Sequence, residues 1–319
     1  MNTRVFGALI IAPLLGAIQA LAQPAAPAEI HVLPVQGNVS MLVGAGGNIA
    51  VQVGKEGVLL VDTGLAASAD KVLAAVKEIS NKGTIRYIVN THFHADHTGA
   101  NDKVAAAGSA IVGGNFAGQV GGASGANIVA HENTMNAMSA QKPALPFASM
   151  PTDTYFTNSK DLYFNGEAVQ LFHIANAHTD GDTIVFFRRS DVIVAGDIFT
   201  PGNYPIIDLA HGGNVQGVLA GLNRIIDLTV PADKQEGGTF VIPGHGRLCD
   251  EADVVEYRDM LTIIRDRFQD MIKKGMTLEQ VKAAKPTRDY DPLYGATTGF
   301  WTTDMFVEAV YKSLAPKGK

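Results

Sequence analysis

The chain reads Asn90-Thr91-His92-Phe93-His94-Ala95-Asp96-His97-Thr98-Gly99 directly after a predicted strand at residues 85–89. This stretch places three imidazoles and one carboxylate within six consecutive residues. A neutral imidazole nitrogen binds zinc, copper and iron at neutral pH, which makes histidine the most common metal ligand. Clustered histidines without a metal would also repel one another when protonated. Because α/β proteins usually build their sites at strand ends, the stretch predicts a metal site at the edge of a sheet.

Three further candidate ligands follow predicted strands in the second half of the chain. His178 lies in Ala177-His178-Thr179-Asp180-Gly181, Asp197 in Ala195-Gly196-Asp197, and His245 in Pro243-Gly244-His245-Gly246. The glycines of these turns let backbone and side chain approach a shared point without a Cβ clash. Taken singly, the two histidines are ambiguous and Asp197 could be only a turn residue. Their shared position at strand ends makes all three candidate ligands.

Strand-like and helix-like segments alternate along the chain. Strands are predicted at 39–43, 48–53, 57–62, 85–89, 168–174, 182–188, 192–195 and 239–242, and helices at 69–80, 100–107, 215–227, 252–274, 277–284 and 307–314. Residues 108–159 are the least regular part and are interpreted as a flap over the substrate or as a surface insertion. The C-terminal helices are expected to cover a sheet and not to form a separate domain.

The full set of motifs resembles the metallo-β-lactamase superfamily. The run His92-x-His94-x-Asp96-His97 with the three downstream residues carries the resemblance, and Val61-Asp62-Thr63-Gly64 fits that family's early Asp motif. The resemblance covers about residues 39–247. It implies an α/β fold, the four-layer αβ/βα sandwich, with metals at one edge of the sheets and a C-terminal helical extension. The expected domain spans 39–250, with helices of 251–319 packed on the same domain.

The resemblance also implies a site with two zinc ions per chain. His92, His94 and His178 would bind the first ion, Asp96, His97 and His245 the second, and Asp197 would bridge both, as in the glyoxalase II-like and lactonase-like branches. The metals would share a hydroxide that attacks a polarised carbonyl. Asp96 is also the candidate catalytic residue, which orients the hydroxide or protonates the leaving group. Asp62 is expected to accept a hydrogen bond from a ligand imidazole or from the loop.

The remaining polar candidates are interpreted as structural. Asp180 and Asp182 are expected to stabilise the turn beside His178. Cys249 is expected to be a small buried residue. The other histidines, His31, His131, His173 and His211, are interpreted as ordinary histidines, and of these His211 is the one most expected to line the site.

Residues 1–22 have the pattern of a secretory signal peptide. Arg4 supplies a positive start, residues 5–18 are apolar, and Ala20-Leu21-Ala22 offers a small-residue cleavage site. A membrane anchor is the alternative, but the apolar run is short and a proline and a glycine interrupt it. Residues 23–38 are expected to be a flexible leader. The protein is therefore expected to be periplasmic or secreted, without membrane contact after cleavage.

The charge and the cysteine content limit the kinds of partner and of metal site that the chain can have. The chain has 25 basic and 31 acidic residues, a net charge of -6, without a basic block that would follow phosphates, so no nucleic-acid partner is expected. The single cysteine excludes an intramolecular disulfide and a cysteine-rich zinc site. The expected partner is a small-molecule substrate, and the sequence does not define an oligomeric state.

The substrate class follows less directly from the sequence. Export suits a β-lactamase, but the best-known β-lactamase branch has Cys where Asp197 stands, followed by a Lys that holds the substrate carboxylate. No Lys or Arg occurs between Asp197 and Arg224. Candidate substitutes are Thr200, Asn203, Asn214 or a residue of 108–159, and Asn214, after two glycines, could polarise a lactam carbonyl. A bridging Asp is usual in hydrolases of thioesters, lactones and phosphoesters.

The expected function is an exported binuclear zinc hydrolase that uses a metal-bound hydroxide to open an amide or ester bond of a β-lactam or lactone. One alternative is an iron-dependent oxidoreductase similar to a persulfide dioxygenase. A thioester or phosphoester hydrolase of the same superfamily is a second alternative, and a non-catalytic exported metal-binding protein is a third. Metal content separates zinc hydrolysis from iron oxidation.

Overall fold

The computed structural model describes residues 29–111 and 125–316. The expected signal peptide and the first residues of the leader lie outside these ranges, so both remain predictions. Within the two ranges, no helix combines the length and the apolar character needed to cross a membrane.

Seven strands form the first sheet, in the order of the chain. They are β1 His31–Gln36, β2 Val39–Val43, β3 Ile49–Gly54, β4 Gly57–Val61, β5 Ile85–Val89, β6 Asn127–His131 and β7 Asp153–Tyr155. β1 to β4 pair antiparallel, and β4 to β7 pair parallel. The predicted bounds of β2 and β5 are confirmed.

Five strands form the second sheet. They are β8 Ser159–Phe164, β9 Glu167–Ile174, β10 Asp182–Phe187, β11 Val192–Gly196 and β12 Phe240–Pro243, in the order β12-β11-β10-β9-β8. Only the β11–β12 pair within this sheet is parallel. As a result, β9, β11 and β12 run in the same direction and their carboxyl ends lie at one edge.

The helices lie between and after the strands. They are α1 Ala69–Ile79, α2 Ala95–Thr98, α3 Asn101–Ala106, α4 Glu132–Ala140, α5 Val215–Leu228, α6 Glu251–Lys273, α7 Leu278–Ala284, α8 Asp291–Tyr294 and α9 Thr303–Leu314. α6 starts with a capping box between Asp250 and Asp253. α9 starts earlier than the predicted residue 307, because the Thr302 side chain accepts a hydrogen bond from the backbone N–H of Met305.

The two sheets pack face to face, with helices on both outer faces. In β4, Leu59 and Val61 belong to the core between the sheets, whereas Val58 and Leu60 pack under α1 and α3. The outer face of the second sheet packs against α5, α6 and α9. This arrangement is the expected four-layer αβ/βα sandwich, and the helices of the C-terminal part share the core of the second sheet.

Two expectations about irregular segments are corrected within the described residues. The leader is expected to be flexible over 23–38, but its residues 31–36 form β1, which pairs with β2. Its side chains are largely exposed, so its order comes from backbone hydrogen bonds that leave no apolar pattern in the sequence. Residues 108–159 are not simply a flap or an insertion, because β6 and β7 extend the first sheet and most of β6 is buried. Residues 112–124 lie outside the described ranges.

Hydrogen bonds join the two sheets at the edge that carries the histidine motif. The Asn48 side chain donates to the carbonyl oxygens of Pro243 and Gly246, each at 3.0 Å. The backbone N–H of Thr183 donates to the carbonyl of Thr91 at 2.8 Å. These bonds fix the loop after β12 to the first sheet and the loop after β5 to the second sheet.

Candidate metal centre

The first predicted ligand set comes together at this edge. The Nδ1 atom of His94 lies 3.1 Å from Nε2 of His92 and 2.9 Å from Nε2 of His178. His92 and His178 are fully buried, and burial lowers the pKa of both, with neighbouring histidines adding to the effect. Burial therefore favours the neutral forms of His92 and His178, and the three ring nitrogens lie close enough together to hold one ion.

The outward-facing ring nitrogens of His178 and His94 each meet an acceptor. Nδ1 of His178 lies 2.8 Å from the carbonyl oxygen of Ile206, and Nε2 of His94 lies 3.1 Å from a carboxylate oxygen of Asp208. A carbonyl or carboxylate oxygen only accepts, so these ring nitrogens carry the hydrogens. In the neutral rings, the two inward nitrogens then face each other as lone pairs, an arrangement that a cation between them would stabilise.

His92 is oriented in the same way through a hydroxyl group. Thr91 Oγ1 donates to Asp62 at 2.7 Å and lies 3.1 Å from Nδ1 of His92. With its hydrogen given to the carboxylate, the hydroxyl accepts from Nδ1 of His92. The Nε2 atom of His92 therefore also presents a lone pair to the centre.

The second predicted ligand set lies beside the first. The Nε2 atom of His245 lies 3.1 Å from Oδ2 of Asp96 and 3.4 Å from Nε2 of His97. Oδ2 of Asp96 is 3.7 Å from Nε2 of His97. These three donor atoms can also hold one ion.

Asp197 lies between the two sets. Its Oδ1 atom is 3.2 Å from Nε2 of His97 and 3.5 Å from Nε2 of His245, and its Oδ2 atom is 3.8 Å from Nε2 of His178. Oδ1 is buried and makes no hydrogen bond of acceptable geometry with the described residues. A buried carboxylate oxygen left without a hydrogen bond fits a metal ligand, and one oxygen points toward each set.

Both contacts expected of Asp62 are present. It accepts hydrogen bonds from the backbone N–H of Thr91 at 2.8 Å and from the Thr91 hydroxyl. Its Oδ2 atom also lies 2.8 Å from Nδ1 of His97. One buried carboxylate thus orients an imidazole in each ligand set, directly in His97 and through Thr91 in His92.

Two glycines permit the close packing of the centre. A Cβ atom at Gly244 would collide with the Asp197 carboxylate and with the backbone of Gly196. A Cβ atom at Gly47 would collide with the ring of His97. The expectation that these turns need glycine for a close approach is confirmed at Gly244.

His97 and His245 of the second ligand set bind protons when no metal is present, whereas Asp197 stays ionised. Burial lowers the pKa of His97, but the Asp197 and Asp62 carboxylates outweigh burial and raise it well above 6.5. Burial likewise opposes protonation of His245, yet the nearby carboxylates of Asp197 and Asp96 raise its pKa to about 9. Burial raises the pKa of Asp197, whereas His97 and His245 bring it well below 3.8. A metal at this set would replace positive charge that protons otherwise supply.

Sequence reasoning missed Asp208. Its Oδ2 atom lies 3.1 Å from Nε2 of His94 and 2.6 Å from Nδ1 of His211, and its Oδ1 accepts from the backbone N–H groups of Ala210 and His211. His211 is therefore linked to the site through this carboxylate, but it does not line the cavity at the metal centre. An Asp three residues before a histidine in a short turn was the only sequence signal for it.

Of the other polar residues considered in the sequence, some line the cavity at the metal centre and others only stabilise the fold. Thr200 and Asn203 line the cavity at the metal centre, but Asn214 does not. The Asn214 side chain caps α5 and donates to the carbonyl of Ser313 at 3.1 Å, so its expected role at a lactam carbonyl is wrong. Asp182 stabilises its turn by accepting two hydrogen bonds from Thr179, and Cys249 is buried, as expected.

The metal centre opens into a cavity of about 570 Å³. One wall carries the ligands His94, Asp96, His178, Asp197 and His245. The opposite wall comes from the segment between α8 and α9, with Ala296, Thr298, Phe300 and Trp301. No lysine or arginine lines this cavity in the described part of the chain. The cavity therefore combines a metal-binding end with an uncharged, largely apolar wall.

The sandwich and its paired ligand sets define a metal-dependent hydrolase. Residues 42–245 match the family model of the metallo-β-lactamase superfamily. The chain belongs to this superfamily, and the resemblance seen in its motifs is confirmed.

Individual relatives differ in how much of the chain they match. A linear primary-alkylsulfatase of Pseudomonas sp. (strain ATCC 19151) is 26% identical over 275 residues, which are 74% of this chain and 50% of that protein. The chain thus spans about half the length of this curated relative. A double mutant of the sec-alkyl sulfatase PisA1 has a TM-score of 0.67 at 15% identity, covering 89% of this chain and 50% of that one. A metallo-β-lactamase from Pontibacter korlensis has a TM-score of 0.54 at 17% identity, and the match covers 73% of this chain and 99% of that one. The two structural matches establish a shared fold.

Proposed function

We propose that the chain is an exported binuclear zinc hydrolase that opens an ester or amide bond in a small-molecule substrate of the lactone or β-lactam type. The observation that carries this proposal is the pair of three-residue ligand sets with Asp197 between them. Imidazole and carboxylate donors with one position left open are typical of catalytic zinc sites. The signal-like pattern of residues 1–22 supports export.

Bound zinc ions would supply Lewis acidity, which polarises a scissile carbonyl and acidifies a water molecule near neutral pH. The protein contributes the orientation of the donors. Because their outward nitrogens are fixed by Ile206, Asp208 and Asp62, the rings of His178, His94 and His97 are already oriented toward the centre. Preorganisation of this kind lowers the cost of reaching the transition state.

Asp96 is the residue proposed to handle the proton. It is half-buried at the cavity wall, and its Oδ2 atom is 3.1 Å from Nε2 of His245. Burial raises its pKa, but the hydrogen bond to His245 outweighs burial and the pKa is lowered overall. An ionised Asp96 would accept a hydrogen bond from the attacking water, take its proton as the bond to the substrate forms, and then pass that proton to the leaving group.

The walls of the cavity favour an uncharged substrate within this class. Thr200 and Asn203 offer neutral hydrogen-bonding groups, and the described lining has no lysine or arginine that would pair with a carboxylate. β-Lactams carry such a carboxylate, whereas simple lactones do not. We therefore place lactones ahead of β-lactams as substrates.

Metal analysis combined with a substrate panel tests the proposal. We expect about two zinc ions per purified chain, and hydrolysis of an acyl-homoserine lactone or nitrocefin that a chelator abolishes and zinc restores. His92→Ala and Asp197→Asn should lower both metal content and turnover, while His31→Ala, in the exposed strand β1, should change neither. One iron ion per chain with oxygen consumption on a thiol substrate would contradict hydrolysis and support the persulfide dioxygenase alternative.

Sulfate-ester hydrolysis is a second candidate, favoured by the similarity to an alkylsulfatase over 74% of this chain. The same two-metal arrangement could stabilise the charge on a sulfate leaving group. Ion chromatography of the sulfate released from linear primary alkyl sulfates measures this activity directly. Sulfate release without lactone or lactam opening would replace the first candidate with the second.

A further inference from the structure

A second cavity, of about 440 Å³, adjoins the cavity of the metal centre. The two cavities share four lining residues, His94, Ile206, Phe300 and Trp301. We propose that this second cavity, called here the tail compartment, binds the apolar acyl or alkyl chain of a substrate whose scissile bond lies at the metal centre. This inference rests on the proposed hydrolytic function and adds the substrate class to it: esters or lactones with a medium-length hydrocarbon chain.

Apolar side chains make up most of the wall of the tail compartment. Ile207, Leu209, Met305 and Ala309 line only this cavity and continue the surface formed by the shared residues. Three of its lining residues are unusually exposed for their type, with Phe300 at 83%, Met305 at 44% and Leu209 at 38%. Contiguous exposed apolar side chains beside a polar site usually mark a ligand surface. A hydrocarbon chain would remove this surface from water.

The charged groups of the tail compartment are already paired. Lys312 Nζ lies 2.6 Å from one carboxylate oxygen of Glu308, and Lys282 Nζ lies 2.9 Å from the other. Asp208 faces His94 and His211. The lining thus leaves no unpaired charge to bind an ionic group, and an uncharged chain is the occupant that its chemistry fits.

The position of His94 links the compartment to the reaction. His94 belongs to the first ligand set and lines both cavities. A substrate with its carbonyl at the metals can therefore extend its chain past His94 and between Ile206 and Phe300 without leaving the protein surface. The chain length of the substrate becomes a determinant of specificity.

Trp301 makes binding measurable without turnover, because it is the only tryptophan of the chain. It lines both cavities and is partly exposed. We expect sodium decanoate to shift the emission of the metal-free protein to shorter wavelength in a saturable way, whereas sodium acetate should not. For straight-chain carboxylates of length between acetate and decanoate, the affinity for the protein should rise by up to about fourfold with each added methylene, the value for burying one CH₂ group.

Met305→Asp tests the compartment with little risk to the fold. Met305 is the third residue of α9, where an acidic side chain interacts favourably with the helix dipole. We expect this variant to bind decanoate about tenfold more weakly, since a charge replaces an apolar contact. Ile263→Asp is the matched control, because Ile263 is also helical and 43% exposed but lines neither cavity, and it should bind decanoate as the wild type does.

Turnover of p-nitrophenyl esters from acetyl to decanoyl by the zinc-loaded protein provides the kinetic test. We expect kcat/KM to rise with chain length in the wild type and in Ile263→Asp. In Met305→Asp, the ratio of octanoyl to acetyl kcat/KM should fall about tenfold.

The two proposals fail in distinguishable ways. Decanoate binding to the metal-free protein without hydrolysis of any ester, lactam or sulfate ester would leave the compartment standing and reject the proposed function. An emission unchanged by decanoate, or equal decanoate affinity in Met305→Asp and wild type, would overturn the compartment. If the emission depended on protein concentration and not on decanoate, a second copy of the chain would occupy the tail compartment. That result would overturn the proposal as well.

Discussion

At the residue scale, the centre is defined by hydrogen bonds behind the ligands as much as by the ligands themselves. Asp62 holds His97 directly and His92 through Thr91, while Asp208 holds His94. Each contact orients one ring nitrogen outward and the other toward the centre. His92 and His94 face the first ligand set in this way, whereas His97 must also lose a proton before its inward nitrogen can bind a cation.

Asp208→Asn tests this orientation outside the predicted ligands. An amide still fills the space but no longer gives His94 a charged acceptor, so we expect zinc affinity to fall about 10- to 100-fold, the usual effect of changing such a partner. Competition with a chromogenic chelator measures the affinity. Asp259→Asn on the exposed face of α6 is the control. Unchanged zinc affinity in Asp208→Asn would show that His94 does not need this contact.

Zinc binding should depend on pH differently at the two sets. His245 has a pKa of about 9 and His97 one well above 6.5, so protons must leave the second set before zinc enters. Its affinity should rise steadily up to about pH 9. The first set should be less pH-dependent, since the pKa values of His92 and His178 are lowered by burial. Calorimetric zinc titrations at several pH values measure both, and identical slopes would contradict this assignment.

The same protons affect the stability of the metal-free protein. The folded pKa of His245 is raised from 6.5 to about 9, so its protonation stabilises the fold. This contribution is complete below about pH 6.5 and is lost as the pH rises through about 9. Urea unfolding of metal-free protein should show the loss, and His245→Ala should remove that part of the pH dependence. If the metal-free wild type became more stable between about pH 6.5 and about pH 9, the proposed protonation of His245 would be contradicted.

At the element scale, the sequence predicted β2 to β5 and β9 to β12 but missed β1, β6, β7 and β8, although most of β6 is buried. β2 and β5 were predicted with their observed bounds, because apolar residues fill them between polar turns. β1 was missed because its side chains are largely exposed, although its backbone is paired. Of the site, the seven predicted ligands converge, while Asp208 was missed, because a 3₁₀ turn that brings it to His94 has no periodic signal.

Thr302 tests how an element boundary shapes the cavity wall. Its side chain caps α9 directly after Phe300 and Trp301, so Thr302→Ala should lower the free energy of unfolding by about 1 kcal/mol. It should also weaken decanoate binding by loosening the preceding segment. Urea unfolding checks the first effect. Thr262→Ala, within α6, is the control, because its hydroxyl bonds to a carbonyl of its own helix and caps nothing. Equal stability of the two variants would contradict the capping role.

At the scale of the whole molecule, the sandwich brings the carboxyl ends of strands from both sheets to one edge. The loop after β5 belongs to the first sheet, and the loops after β9, β11 and β12 belong to the second. The core between the sheets consists of packed apolar residues independent of the ligands. The scaffold should therefore stay folded when the metal is removed, and only the centre should change.

Metal removal should lower thermal stability without unfolding the protein. Far-UV circular dichroism of the chelated protein should match that of the loaded protein, because the two sheets keep their shared core. Restoring zinc at about 100 times its Kd should add roughly 2.7 kcal/mol per site by mass action, measured as a rise in Tm. A chelated protein without secondary structure would mean that the metal builds the fold.

The two ligand sets are proposed to hold two metal ions that share Asp197. Anomalous diffraction at the zinc absorption edge from zinc-loaded crystals tests this proposal most directly. We predict two separate peaks, one among His92, His94 and His178 and one among Asp96, His97 and His245, each within ligand distance of an Asp197 oxygen. A single peak, or two peaks that Asp197 does not contact, would contradict the account.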